Sequence, residues 1–198
     1  MKNFKYYAFV ATKPGFANIS EVNNYIANEM VNLGGTIVFS CKTKYSAQDS
    51  QKHYAPHFRG SYQKCKPFYP NLENYITSDY IMGMIIGFDD ENTYKAIRAK
   101  AGVVIKKDYE GNIIQQPAPG TIRYEVPLML NQEQKQTENV IHTSETPEEA
   151  YTEILVFLDN LIAQEDLIPN DVLRTAKQLR KIISEKLENI IPNAVSNN

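Results

Sequence analysis

His142 stands in the run Asn139-Val140-Ile141-His142-Thr143-Ser144-Glu145, and sixteen residues before that run lies Pro119-Gly120-Thr121-Ile122-Arg123. A neutral imidazole is a good nucleophile near neutral pH. A basic, glycine-containing loop upstream of it supplies a cation and exposed backbone N–H groups. The pair therefore suits a chain that carries a phosphoryl group on imidazole. Thr146-Pro147-Glu148-Glu149 follows directly. Thr146 with Glu149 reads as a capping box, and Pro147 takes the first helical position. The positive end of such a helix favours anionic oxygens nearby. No G-x-x-x-x-G-K-[ST] loop occurs, so phosphate binding does not follow that route.

The elements that must position these residues can be read in order. Phe4 to Thr12 is expected as a strand, rich in aromatic and β-branched residues. After Lys13-Pro14-Gly15, Ser20 is expected to cap a helix to about Leu33, ended by Gly34-Gly35. Thr36 to Ser40 is a second strand. Ala47 to Tyr54 and Asn71 to Ile76 read as short helices. Tyr80 to Phe88 is almost continuously apolar and reads as a central strand buried on both faces. Asp90 to Ala101 is a helix closed by Gly102. Asp108 to Asn112 reads as a turn, with the form of a hairpin tip. Asn131 to Glu138 is a polar loop and Asn139 to His142 a short extended piece. From Thr146 on, Tyr151, Ile154, Leu155, Leu158, Leu161 and Ile162 form the apolar stripe of a helix. A last helix carries Val172, Ala176, Leu179, Ile183 and Leu187, and a frayed tail follows from Asn193. This order predicts an α+β, ferredoxin-like antiparallel sheet with helices on one face. Its fourth strand is the least defined; Ile154 to Phe157 reads as helical. The expected division is a domain over 1–168 and a C-terminal helical extension over 169–198.

Composition bounds the rest. The chain has 198 residues, a net charge of −2 and 42% hydrophobic residues. That supports one domain with a real core and argues against a nucleic-acid binder that works by general basicity. No run of eighteen apolar residues suggests a membrane span, and the N-terminus lacks an apolar signal core. Cys41 and Cys65 are the only cysteines. So few make no disulfide framework, and a reducing cytoplasm is the expected location. His53 and His57 have the i, i+4 spacing of a helical metal pair, with Cys41 and Cys65 available. The chain holds no second spaced pair, and Pro56 is expected to interrupt the helix, so a metal site is not expected there.

The two motifs closely resemble the active-site signature of nucleoside diphosphate kinases, P-G-T-I-R followed by N-x-[IV]-H-[GA]-S-D. The resemblance runs from about Tyr6 to Phe157. It implies His142 as the phosphoryl carrier. Lys13-Pro14 resembles the family's K-P-D-G, which implies that Lys13 contacts the terminal phosphate. His53-Tyr54 resembles its H-Y, which places the Tyr54 hydroxyl near the transferred group. The run Lys66 to Leu72 resembles R-P-F-F-x-x-L. This implies that Phe68 stacks on the base, with Leu72 in the same nucleotide-binding segment. Arg98 matches the arginine of a helix ending in [IV]-R-x-x-x-G, and Arg123 that of P-G-T-I-R. Asn139 matches the asparagine that reaches ribose and phosphates, Ser144 belongs to the same nucleotide-binding signature, and Glu153 matches the glutamate that orients the imidazole. Alone, each would be an ordinary lysine, arginine or aromatic residue. Their joint occurrence in family order is the signal.

Each implied role has a physical basis. Lys13, Arg98 and Arg123 would neutralise phosphate oxygens as charge shifts in the transition state. A π-face such as Phe68 accepts any base. The resemblance further implies Mg2+ carried on the nucleotide phosphates, nucleoside di- and triphosphates as partners, and a homo-oligomer, either hexamer or tetramer. Departures exist. Gly15-Phe16 follows Lys13-Pro14 without the aspartate, Thr143 and Glu145 replace a small residue and Asp, and 55–65, 103–118 and 131–138 are longer. No partner for the family's phosphate-contacting threonine is found. These departures motivate the alternative of a catalytically weak nucleotide-binding or regulatory module on the same fold. A ferredoxin-like RNA-binding domain is a weaker reading, against which the near-neutral charge speaks.

Overall fold

A computed structural model of the chain describes residues 2–58, 69–135 and 137–190, with the backbone alone for 56–58. The chain folds through β1 (Tyr6–Thr12), α1 (Ser20–Asn32), β2 (Thr36–Thr43), α2 (Ala47–Phe58), α3 (Tyr69–Ser78), β3 (Ile81–Phe88) and α4 (Asn92–Ala101). It continues through β4 (Lys106–Lys107), β5 (Ile113–Gln115), α5 (Ile122–Met129), β6 (Ile141–Thr143), α6 (Pro147–Ala163) and α7 (Asn170–Ile190). The main sheet has the order β2-β3-β1-β6, and every neighbouring pair is antiparallel. With the helices it forms the ferredoxin-like α+β arrangement.

The inner strands explain why this sheet needs cover on both sides rather than one. Along β1, Tyr7 and Phe9 point to one face and Ala8 and Val10 to the other, and all four are fully buried. β3 is equally apolar, as its composition anticipates. On one face α6 lies close, because Gly83 leaves room for Phe157. A Cβ at Gly83 would sit 2.5 Å from that ring. Phe157 also packs against Phe9, with ring centroids 5.2 Å apart.

The fourth strand is β6, the short extended piece that contains His142, and Ile154 to Phe157 lies inside α6. Two further details differ from expectation. Ser20 is the first residue of α1 rather than its cap, and Ile19 occupies the cap position without a side-chain bond. Helix α2 runs past Pro56 to Phe58; a proline this near the helix end costs one backbone bond without stopping the chain. The turn at Asp108 does close a hairpin, β4 with β5. Asp108 Oδ1 accepts from the N–H groups of Glu110 and Asn112 there. The apolar stripe of α7 is covered by the chain itself: Ala176, Leu179 and Ile183 are fully buried in the common core.

Candidate active site

His142 lies on the edge strand β6, opposite Ala11 of β1. It is 8% exposed. Its ring meets the rings of His53 at 4.8 Å, Tyr54 at 5.5 Å and Phe9 at 6.5 Å between centroids. Helix α6 supplies the group behind it. Thr146 caps that helix by accepting from the Glu149 N–H at 3.2 Å, and Pro147 is its first residue. The Glu149 carboxylate reaches back to the Glu145 N–H at 2.9 Å. The buried face of α6 is then apolar except for Glu153 and Asn160. Glu153 is completely buried, with Oε1 2.9 Å from His142 Nε2. Its Oε2 accepts a bond from the Ser144 hydroxyl at 2.6 Å.

A carboxylate beside Nε2 selects the tautomer that carries its proton there. The lone pair is then on Nδ1. Burial, then the charge of Glu153, push the Tyr54 hydroxyl far above its ordinary pKa, so it remains a donor at neutral pH.

The cations sit on the other side of the strand end. Arg123 is in the first turn of α5, buried, and tied by three bonds. Its Nε donates to Asn139 Oδ1 at 3.2 Å, one terminal nitrogen to the Ile141 carbonyl at 2.9 Å, and the other to the Gly102 carbonyl. Burial, and then the charge of Arg98, lower its pKa to about 10. Lys13 follows β1 directly, and its N–H is bonded to the Val140 carbonyl at 2.9 Å. The turn after it is short and closed. Phe16 and Ala17 N–H donate to the Lys13 carbonyl, Gly15 takes φ +81°, and the Tyr75 hydroxyl donates to the Pro14 carbonyl. Burial, then the nearby Arg123, lower the Lys13 ammonium to about 7. Arg98 on α4 is half-exposed and paired to Glu145 at 2.5 Å.

A family model described as nucleoside diphosphate kinase matches residues 7–161. The chain belongs to the nucleoside diphosphate kinase family. A nucleoside diphosphate kinase of Archaeoglobus fulgidus is 28% identical over 153 residues, 77% of this chain and 85% of that protein. One of Methanocaldococcus jannaschii is 29% identical over 149 residues, 75% of this chain and 90% of that protein. The solved nucleoside diphosphate kinase of Aquifex aeolicus has the same fold, with a TM-score of 0.57 at 20% identity. It spans 77% of this chain and 94% of its own.

Within this kinase fold, His142, Glu153, Tyr54, Lys13, Arg123 and Asn139 come together around one strand end. Arg98 stands beside them but engages Glu145. Ser144 requires a correction. Expected on the nucleotide, it is wholly buried and bonded to Glu153 and to the Phe9 backbone, so it braces the carboxylate instead. Arg123, expected in a loop, belongs to a helix that opens at Ile122. Leu72 is half-buried on α3, against the core. Phe68 lies outside the described residues. Two neighbours carried no assigned role in the sequence. His53 is buried against His142, and the Tyr45 hydroxyl lies 3.4 Å from His53 Nδ1. The Gly102 carbonyl that receives Arg123 is a third. Its signal was the helix-ending glycine: at φ +82°, with a Cβ position 2.6 Å from Thr121, only glycine lets α4 end so close to α5.

Proposed function

We propose that this family member moves the terminal phosphoryl group of a nucleoside triphosphate onto Nδ1 of His142, and from there to a nucleoside diphosphate. In the first step the Nδ1 lone pair attacks the γ-phosphorus. The bond from phosphorus to the β,γ-bridging oxygen breaks, and the diphosphate leaves with that electron pair. In the second step a terminal oxygen of another diphosphate attacks the phosphohistidine, and the P–N bond pair returns to Nδ1. The kinase family name describes the overall exchange. The observation that carries the residue assignment is the buried Glu153, 2.9 Å from Nε2 and braced by Ser144. An oriented nucleophile has no purpose in a pure binding module, so the alternative is disfavoured.

The cations have matching tasks. Burial lowers the pKa of Lys13 and Arg123 in the free protein; phosphate oxygens favour their charged forms and gain the interaction as charge moves outward. Asn139 orients Arg123 for this. Tyr54, held protonated, donates to the transferring group or the leaving oxygen. Arg98 would exchange Glu145 for a phosphate. Phe68 would stack on the base without selecting it, with Leu72 in the same segment. Mg2+ would be held by the nucleotide phosphates, because it prefers oxygen ligands and the groups gathered here are mainly nitrogen donors; it neutralises phosphate charge when bound.

Homo-oligomerisation, as hexamer or tetramer, fits the exposed apolar residues Tyr109, Ile113 and Ile114 on the β4–β5 hairpin. A cytoplasmic site of action fits the free thiol of Cys41. Among the described residues no helix is long and apolar enough to cross a membrane.

Incubation with γ-labelled ATP and Mg2+, without acceptor, tests the assignment. Acid-labile label is expected on the wild type and none on His142→Asn, with discharge when a nucleoside diphosphate is added. Nucleotide bound by the wild type without label would sink the carrier role and revive the binding module.

A further inference from the structure

His53 has a partner set other than its sequence spacing suggests. It comes from α2, His142 from β6 and Glu153 from α6, and all three side chains are buried. Each offers one ligand atom, two ring nitrogens and one carboxylate oxygen, and these atoms lie within 4.8 Å of one another. The His53 and His142 rings face at 64° with centroids 4.8 Å apart. Around an ion bonded at about 2.0–2.1 Å, tetrahedral ligand atoms stand roughly 3.4 Å from each other. The His142 and Glu153 atoms stand 2.9 Å apart, so these two part slightly and His53 moves inward to close the set.

Outer partners are in place as well. The Ser144 hydroxyl binds one oxygen of Glu153 and leaves the other toward His142. The Tyr45 hydroxyl lies 3.4 Å from His53 Nδ1 and can orient that ring. Such contacts orient metal-binding imidazoles and carboxylates. Two imidazoles and one carboxylate form a set that borderline transition ions accept and Mg2+ does not favour.

We propose that His53, His142 and Glu153 bind a divalent transition ion of the Zn2+ class, and that this ion and the phosphoryl group exclude one another at His142. The second half rests on the phosphohistidine reading above. If the ion takes Nδ1, the attacking lone pair is occupied. If it takes Nε2, the ring proton shifts to Nδ1 and occupies the attacking lone pair, while Glu153 turns to the ion. Either way His142 cannot accept phosphoryl. By linkage, phosphorylation of the ring weakens ion binding in turn. The consequence is inhibition by trace transition metal that chelation reverses.

The experiment uses the full chain, stripped of metal and free of nucleotide, titrated with Co2+ and read by its visible ligand-field absorption. One equivalent should give a tetrahedral-type band that Zn2+ displaces. His53→Gln should lose the band, and Tyr45→Phe should weaken Co2+ binding by about tenfold, both with unchanged circular dichroism. A missing band in the wild type, or a band that survives His53→Gln, overturns the site. Labelling by γ-labelled ATP and Mg2+ is then repeated in a Zn2+ buffer, each protein referred to its own zinc-free label. Zn2+ should suppress wild-type label at least tenfold and leave His53→Gln label in place. A Co2+ band together with label indifferent to Zn2+ overturns the exclusion. If zinc-free wild type takes no label at all, the phosphohistidine reading falls, while the Co2+ band still decides the ion site.

Discussion

The two sides of His142 are built on opposite plans. Behind it, Glu153 and Ser144 are buried and bonded to each other, and the rings of His53, Tyr54 and Phe9 pack against the imidazole. In front, Lys13 and Arg123 are buried cations whose charge the protein alone disfavours, and Arg98 is committed to Glu145. The back holds a ring in one orientation, so its value lies in rigidity. The front also bonds within itself, through Arg123 to Asn139 and to backbone carbonyls, but its cations gain their full charge interaction only with an anion present.

This contrast can be broken from either side. Glu153→Ala removes the brace and leaves the Ser144 hydroxyl only its contacts with the Phe9 backbone. The rate of label uptake should fall by about 10²–10⁴, with little change in nucleotide affinity and a stability loss of about 1–3 kcal/mol. An affinity loss as large as the rate loss would show that the back also holds substrate. Arg123→Met acts from the front. It should cost about 10²-fold in kcat/KM, measured in steady state, and unlike Glu153→Ala it should weaken nucleotide binding too. A purely kcat effect would move Arg123 to the positioning side.

Lys13 provides a pH test. Its folded pKa of about 7 lies below the ordinary 10.5, so between those values the unfolded chain binds more protons. Stability from this group therefore rises with pH across that window and is flat below about 7. Lys13→Met should be more stable than wild type near pH 7, by a few kcal/mol at most at about 1.4 kcal/mol per pH unit. The gap should close as pH approaches 10.5. Urea unfolding at several pH values measures it, and a gap that persists at the alkaline end would mean that packing, not charge, sets the difference. The smallest effect belongs to Glu145→Gln. Freeing Arg98 from a half-exposed pair should lower KM for nucleotide by about two- to threefold, and added salt should erase the difference. A rise in KM would mean that Glu145 presents Arg98 to the phosphates.

Much of the site was legible because its residues cluster in short motifs. Pro119 to Arg123 and Asn139 to Glu145 each bring several groups into one segment, and the cap at Thr146 marks where α6 begins. The α5 helix was not legible. Pro127 sits inside it, and at eight residues it is too short to show a period. The role of Ser144 was misread for a related reason. A residue two positions from His142 projects to the same side of a strand, and only the packing of α6 decides whether that side faces substrate or Glu153. His53 carried a motif match without a task, since its neighbours come from β6 and α6.

By itself the sequence determined most of the order of elements, the buried nature of β1 and β3, and the candidate nucleophile, because these depend on apolar runs and on residues close together in the chain. The tertiary structure decided that both faces of the sheet are covered and that Ser144 braces rather than binds. It also decided that Arg98 is diverted to Glu145 and that His53 joins His142 and Glu153. Those outcomes depend on which helix lies over which strand, and on how deeply each charge is taken from water. Such distances are set by the packed whole, since residues 53, 142 and 153 meet only after the sheet and its helices have closed around them.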